Sequence, residues 1–200
     1  MKQLFLCSSF QDSYQKLENF STNKLTGSQV AFFNTASQVE EYSEYVDQSF
    51  NLLKELGMIP FVVNIESTTL EEVIVSADII FVAGGNTFYL LQELRKSNAD
   101  QLIINHINKG KLYIGESAGS VIMSPDINYI QCMDEPEKAP NLKRTDGLHV
   151  INTYPVPHAE TDYLGEAALK IQDIYQDRLE LVILRDDDVM IYSDVSPLEP

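Results

Sequence analysis

Lys111-Leu112-Tyr113-Ile114-Gly115-Glu116-Ser117-Ala118-Gly119 is the stretch that decides the fold of this chain. Four strand-like residues run directly into G-x-S-x-G, the pattern in which a strand turns abruptly into a helix and presents a serine hydroxyl at the tip of the turn. The glycines have a steric reason: the elbow is strained and passes close to its neighbours, so a Cβ two positions either side of the serine would clash or penalise the required dihedrals. Residues 118–123 (AGSVIM) can begin a buried helix whose N-terminus faces a developing negative charge. Ser117 is therefore a candidate nucleophile.

Working outward, strand-like and helix-like segments alternate with little room for linkers. Residues 3–8 and 29–34 are short apolar runs. Ser37 offers an N-cap with Glu40 three positions on, and the helix it opens can run to Leu56 before Gly57. Residues 59–65 (IPFVVNI) read as a strand, 69–76 as a helix, 78–83 (DIIFVA) as a buried strand, and Phe88, Leu91 and Leu94 mark a helical face after Asn86. A further helix over 100–109 ends at Gly110, just before the strand into Ser117. Such β-α alternation predicts an α/β, three-layer architecture: one mostly parallel sheet, helices on both faces, and a site along the edge where strands end. Residues 129–156 are more irregular and read as loops and short strands over that edge. Residues 163–175 form a predicted helix. The runs 179–184 and 189–192, joined by Arg185-Asp186-Asp187-Asp188, look like a closing hairpin whose three aspartates make a solvated turn.

Composition bounds the function. The 200 residues, 44% hydrophobic, suit one domain over 1–200. With 14 Lys+Arg against 30 Asp+Glu the formal charge is −16, which disfavours nucleic acid, because backbone phosphates demand clustered cations. Two cysteines, Cys7 and Cys132, give neither a disulfide framework nor a paired C-x-x-C metal signature. No apolar run is long enough to cross a bilayer. A cytoplasmic protein without metal or organic cofactor is the expectation, acting as a monomer or homodimer.

A serine nucleophile needs a base, usually a histidine held by a carboxylate. Of the three histidines, His106 falls within an amphipathic helix and is read as surface or partly packed, and His149 opens the apolar run Val150-Ile151 and is read as a sheet residue. His158 follows Pro157 in Tyr154-Pro155-Val156-Pro157-His158, where prolines restrict the loop and reduce the entropy lost in holding an imidazole in place. It is the candidate base. Asp134 and Glu135, adjacent and lying between serine and histidine, are candidates to fix the imidazole tautomer, and only one is expected to face inward. Gly84-Gly85-Asn86, after a buried strand, lets backbone amides approach a ligand while Asn86 caps the next helix; with the Ala118 amide this reads as an oxyanion hole.

Together, F-V-A-G-G-N-T-F-Y-L-L at 81–91, I-G-E-S-A-G-S at 114–120, the acid before proline at 134–136 and Pro157-His158 resemble peptidase E, the aspartyl dipeptidase family of serine peptidases, with cyanophycinase a more distant relative. The resemblance covers most of the chain in the same order. It implies a flavodoxin-like, class I glutamine-amidotransferase-like fold in which Ser117 is the nucleophile, His158 the general base, Asp134 the orienting acid, and Gly85 and Ala118 the oxyanion donors. Family members cleave dipeptides that begin with aspartate, using basic residues near and after the histidine loop. Here the stretch 158–166 (HAETDYLGE) holds no arginine and is acidic, so strong aspartyl specificity is not expected. The resulting expectation is a serine peptidase acting on short peptides. The alternatives are an α/β-hydrolase-type esterase, or a binding module that keeps the fold without cleaving.

Overall fold

The computed structural model describes residues 2–20 and 25–193. In chain order the elements are β1 (Gln3–Cys7), α1 (Phe10–Ser13), α2 (Gln15–Phe20), β2 (Gln29–Phe33), a 3-10 turn (Thr35–Val39), α3 (Glu44–Glu55), β3 (Ile59–Val62), α4 (Leu70–Ser76), β4 (Ile79–Val82), α5 (Thr87–Ser97), α6 (Ala99–Asn108), β5 (Leu112–Glu116), α7 (Ala118–Val121), two 3-10 turns (Asn128–Cys132 and Pro136–Lys138), β6 (Tyr154–Val156), α8 (Gly165–Tyr175), β7 (Leu181–Ile183) and β8 (Val189–Tyr192).

Six strands form the main sheet in the order β3-β2-β4-β5-β1-β8, and β6-β7 form a separate parallel pair. The pairs β1–β5, β2–β3, β2–β4 and β4–β5 are parallel, and only β8 runs antiparallel, against β1. The strand sequences show why helices must cover both faces. Successive side chains in a strand point to opposite sides, and here both sets are apolar: Leu4, Leu6, Ile80, Val82 and Tyr113 join one core with α4–α8, while Phe5, Cys7, Phe81, Leu112 and Ile114 join another with α1–α3. The second core is aromatic, with Phe32 stacked on Phe81 at 4.9 Å and Phe10 edge-on to Phe81 at 5.0 Å. This is the flavodoxin-like, three-layer arrangement.

Three local expectations give way to tertiary structure. The helix expected from Ser37 begins only at Glu44, because the segment before it is drawn elsewhere: the Ala36 carbonyl accepts the Asn86 amide at 3.0 Å, and Glu40 pairs with Lys138 at 3.2 Å. The helix after Ser117 is one turn of four residues, so little macrodipole can accumulate there. The closing hairpin does not form. β7 pairs with β6 and β8 pairs with β1, rather than with each other, so that the loop 184–188 bridges two sheets over the site edge. Among the described residues no helix is long and apolar enough to cross a membrane.

Candidate active site

Ser117 lies where β5 ends, at φ 46° and ψ −108°, a left-handed backbone that a non-glycine residue adopts only when its surroundings force it. The forcing contacts are visible. A Cβ on Gly115 would lie 2.5 Å from the Gly119 carbonyl oxygen, and one on Gly119 would lie 2.2 Å from that of Val82. The two glycines thus let the turn fold against itself and against β4. The Ser117 amide donates to the Cys7 carbonyl at 3.0 Å, and the Ser120 hydroxyl is shared between the Cys7 and Gly115 carbonyls.

His158 arrives from the loop after β6, itself at φ 61°. Its Nε2 is 2.9 Å from the Ser117 hydroxyl and its Nδ1 is 2.8 Å from Oδ1 of Asp186. An ionised carboxylate only accepts, which puts the proton on Nδ1 and leaves Nε2 to accept from the serine. Ser8, at the end of β1, locks this arrangement: its hydroxyl accepts the His158 amide at 2.7 Å and donates to Asp186 at 2.9 Å. Tyr163 donates to the other carboxylate oxygen at 2.7 Å. Burial works against the charge on Asp186, yet the hydrogen bonds from His158, Tyr163 and Ser8 hold its carboxyl below the ordinary value.

The acid beside the imidazole is therefore Asp186, and the assignment of that place to Asp134 is corrected. Asp134 instead accepts the Thr87 amide at 2.9 Å at the start of α5, while burial raises its carboxyl to about 6. Glu135 is exposed and pairs with Lys138 at 2.8 Å. Asp186 was hidden in a run of three aspartates that reads as a solvated turn. The only signal for it was position: it lies in the loop three residues beyond the end of β7, where α/β folds place site residues.

The glycine loop is brought against the elbow, since a Cβ on Gly84 would sit 3.2 Å from that of Ser117. Gly85 has φ +129°, and a Cβ there would meet the Ala36 carbonyl at 2.4 Å, so only glycine fits. Among the described residues, neither the Gly85 nor the Ala118 amide enters a turn or ladder hydrogen bond. Asn86 is committed to scaffolding: its side-chain oxygen caps α5 by accepting from the Tyr89 amide, and its nitrogen donates to the Glu135 carbonyl.

The other histidines lie elsewhere. His106 is buried, with Nε2 3.1 Å from the Leu112 carbonyl; burial lowers it to about 4, so it is neutral and donates. His149 is exposed in a loop at φ 51°, its amide bonded to the Ser124 carbonyl rather than to a sheet partner.

Comparison with known proteins agrees with this architecture. The model of peptidase family S51 matches residues 4–196. An uncharacterized peptidase of Listeria innocua is 40% identical over 95% of this chain and 96% of its own, and peptidase E of Salmonella arizonae is 33% identical over 68% of this chain and 58% of its own. A Listeria monocytogenes protein whose structure was solved as a candidate peptidase E superimposes with a TM-score of 0.90 at 40% identity, over 96% of this chain and 94% of that one. The chain belongs to peptidase family S51 and is a serine-type peptidase.

Proposed function

We propose that the chain hydrolyses short peptides through an acyl-enzyme formed on Ser117. The observation that carries this reading is the continuous relay of Ser117, His158 and Asp186 at 2.9 and 2.8 Å around a strained serine. His158 takes the hydroxyl proton at Nε2 as Ser117 attacks the carbonyl carbon, and Asp186 stabilises the imidazolium through Nδ1–H. The amides of Gly85 and Ala118 receive the oxyanion. The imidazolium then protonates the leaving amine, and water activated by the same Nε2 hydrolyses the ester. The chain order Ser, His, Asp differs from the Ser, Asp, His order of α/β-hydrolases, which speaks against the esterase alternative.

The surroundings favour substrates without an N-terminal carboxylate side chain. Lys138, the cation on the neighbouring loop, is engaged by both Glu40 and Glu135. Arg144 pairs with Asp146 at 2.7 Å and its carbonyl is bound by Arg95. That places it by the C-terminal end of α5, about 16 Å along the helix from the end beside Ser117. Neither cation is free to read a carboxylate. Two measurements test the reading. Ser117→Ala abolishes fluorophosphonate labelling and turnover with little change in thermal unfolding. A comparison of Asp-Leu, Ala-Leu and Lys-Leu gives kcat/KM values in which Asp-Leu leads by much less than about 100-fold, or about 2.7 kcal/mol. Undiminished labelling of the alanine variant overturns the nucleophile, and a hundredfold Asp-Leu lead overturns the substrate argument.

A further inference from the structure

The loop from His158 to Leu164 contains neither lysine nor arginine, and its side chains reach for Asp186 instead. His158 takes one oxygen of that carboxylate through Nδ1 at 2.8 Å, and Tyr163, five residues later, donates its hydroxyl to the other at 2.7 Å. The backbone is folded so that both can do so. His158 and Glu160 lie at left-handed φ, 61° and 63°, which turns the segment back on itself. The Thr161 hydroxyl ties the turn, donating to the His158 carbonyl at 2.9 Å and accepting the Leu164 amide at 3.1 Å. The Ala159 amide donates to the Leu184 carbonyl at 2.9 Å and joins this loop to the one that carries the acid. A single short stretch of chain therefore grips Asp186 from two sides.

Burial does not explain the place of Tyr163. The residue is 63% exposed, so its ring gains little from leaving water. Its ring centroid is 5.4 Å from that of the His158 imidazole, and its oxygen is 3.0 Å from Nδ1. The hydroxyl proton faces the carboxylate while a lone pair faces Nδ1–H. Partial burial of the hydroxyl end and the adjacent Asp186 push its pKa up, so the phenol keeps the proton it donates.

We propose that Tyr163 is a positioning residue: by holding the second oxygen of Asp186 it fixes the carboxylate against Nδ1–H and keeps the Nε2 lone pair of His158 aimed at Ser117. This rests on the Ser117–His158–Asp186 reading. The physical argument is one of competition with water. The Asp186 side chain is 24% exposed, and a carboxylate held at one oxygen alone can swing about its Cβ–Cγ bond and share its lone pairs with solvent. Ser8 does not prevent this, because its hydroxyl donates to Oδ1, the oxygen that His158 already uses. Tyr163 supplies the donor on Oδ2. Since it rides on the same loop as the base, its contact is intramolecular with the first and costs little further ordering.

Tyr163→Phe tests this, because it keeps the ring, removes only the hydroxyl, and at an exposed position needs no repacking. On Ala-Leu, kcat should fall about tenfold with KM little changed, the size expected for a lost hydrogen bond to a charged group that water partly reaches. Fluorophosphonate labelling of Ser117 should slow by the same factor. The coupling to Asp186 separates positioning from packing. In an Asp186→Ala background the hydroxyl has no carboxylate to hold, so Tyr163→Phe should slow labelling no further. A tyrosine that only packs the loop would give the same factor in both backgrounds, and that result overturns the proposal. So does an unchanged kcat, or a KM that rises at constant kcat, which would make the tyrosine a substrate contact. Wild-type labelling rates in Asp186→Ala would overturn the relay reading and this inference with it. Slow labelling of Asp186→Ala beside an unaffected Tyr163→Phe would sink this inference alone.

Discussion

Asp186→Asn is the substitution that most directly separates the observed relay from the one expected at Asp134. The Asp186 carboxylate accepts three hydrogen bonds, from His158 Nδ1–H, Ser8 Oγ–H and Tyr163 O–H. An asparagine has one oxygen and one NH₂ for the same neighbours. The two hydroxyls can rotate and accept, so the variant loses little packing. If the NH₂ faces Nδ1, however, the imidazole carries its proton on Nε2 and aims it at Ser117, where a lone pair is required. Neutralising a tautomer-fixing aspartate of this kind lowers kcat by about 10⁴, or about 5.5 kcal/mol. The side chain of Asp186 is 24% exposed and that of His158 is 12% exposed, so water reaches one side and helps hold either tautomer. The expected loss is nearer about 10³ in kcat with KM little changed. Asp134→Asn is the control. Asparagine still offers an oxygen to the Thr87 amide and ranks with aspartate as a cap, so stability changes by less than about 1 kcal/mol and kcat by less than about tenfold. Steady-state kinetics on Ala-Leu and fluorophosphonate labelling report both variants. An Asp134→Asn loss exceeding that of Asp186→Asn would refute the relay.

Stability should fall between pH 5 and pH 8. Glu116 ionises at about 7 in the folded chain against an ordinary 4.5, so the folded state keeps a proton that the unfolded state has lost; stability falls as pH rises through that window, by about 3 kcal/mol for this group. Asp134, raised to about 6 from 3.8, acts in the same direction. Denaturant melts of Glu116→Gln should show a shallower decline over this range, and an unaltered slope would contradict the burial argument. Gly119→Ala and Gly85→Ala should both fail to give soluble folded protein or lose several kcal/mol, because the new Cβ meets backbone at 2.2 and 2.4 Å, distances no side-chain rotation relieves. Wild-type melting temperatures in either variant would show that these turns are looser than described.

The layered fold was legible because every strand carries apolar residues on both faces, and because the helices of α5 and α6 repeat their apolar residues at helical spacing. The serine and histidine were legible because each lies in a stretch with its own steric logic, glycines around one and prolines around the other. The acid was not. Asp186 has the same neighbours in sequence as a solvated turn, and what sets it apart is that β7 and β8 leave each other for β6 and β1. Strand exchange between sheets is a long-range outcome with no local signature. Glu116 escaped for a related reason: within G-x-S-x-G its position is a variable one, and only the register of β5 reveals that the side chain points into an aromatic core.

Both carboxylates missed in sequence break the local rule for their position, and each break is matched by hydrogen-bond partners in the geometry. At Asp186 the departure is small, since hydrogen bonds from three side chains outweigh partial burial and keep the charge that the imidazolium needs. At Glu116 burial wins and the ordinary range is left behind. An apolar residue there would suit the core better at every pH, but it would leave the Phe10 amide and the Ser49 hydroxyl without their acceptor. The strain at Ser117, the positive φ of His158 and the forced turn at Gly85 lie within the same few loops. The stable sheet and its two cores therefore support a rim that is individually unfavourable at several points, and relaxing any one of them would gain stability by releasing a group the relay holds in place.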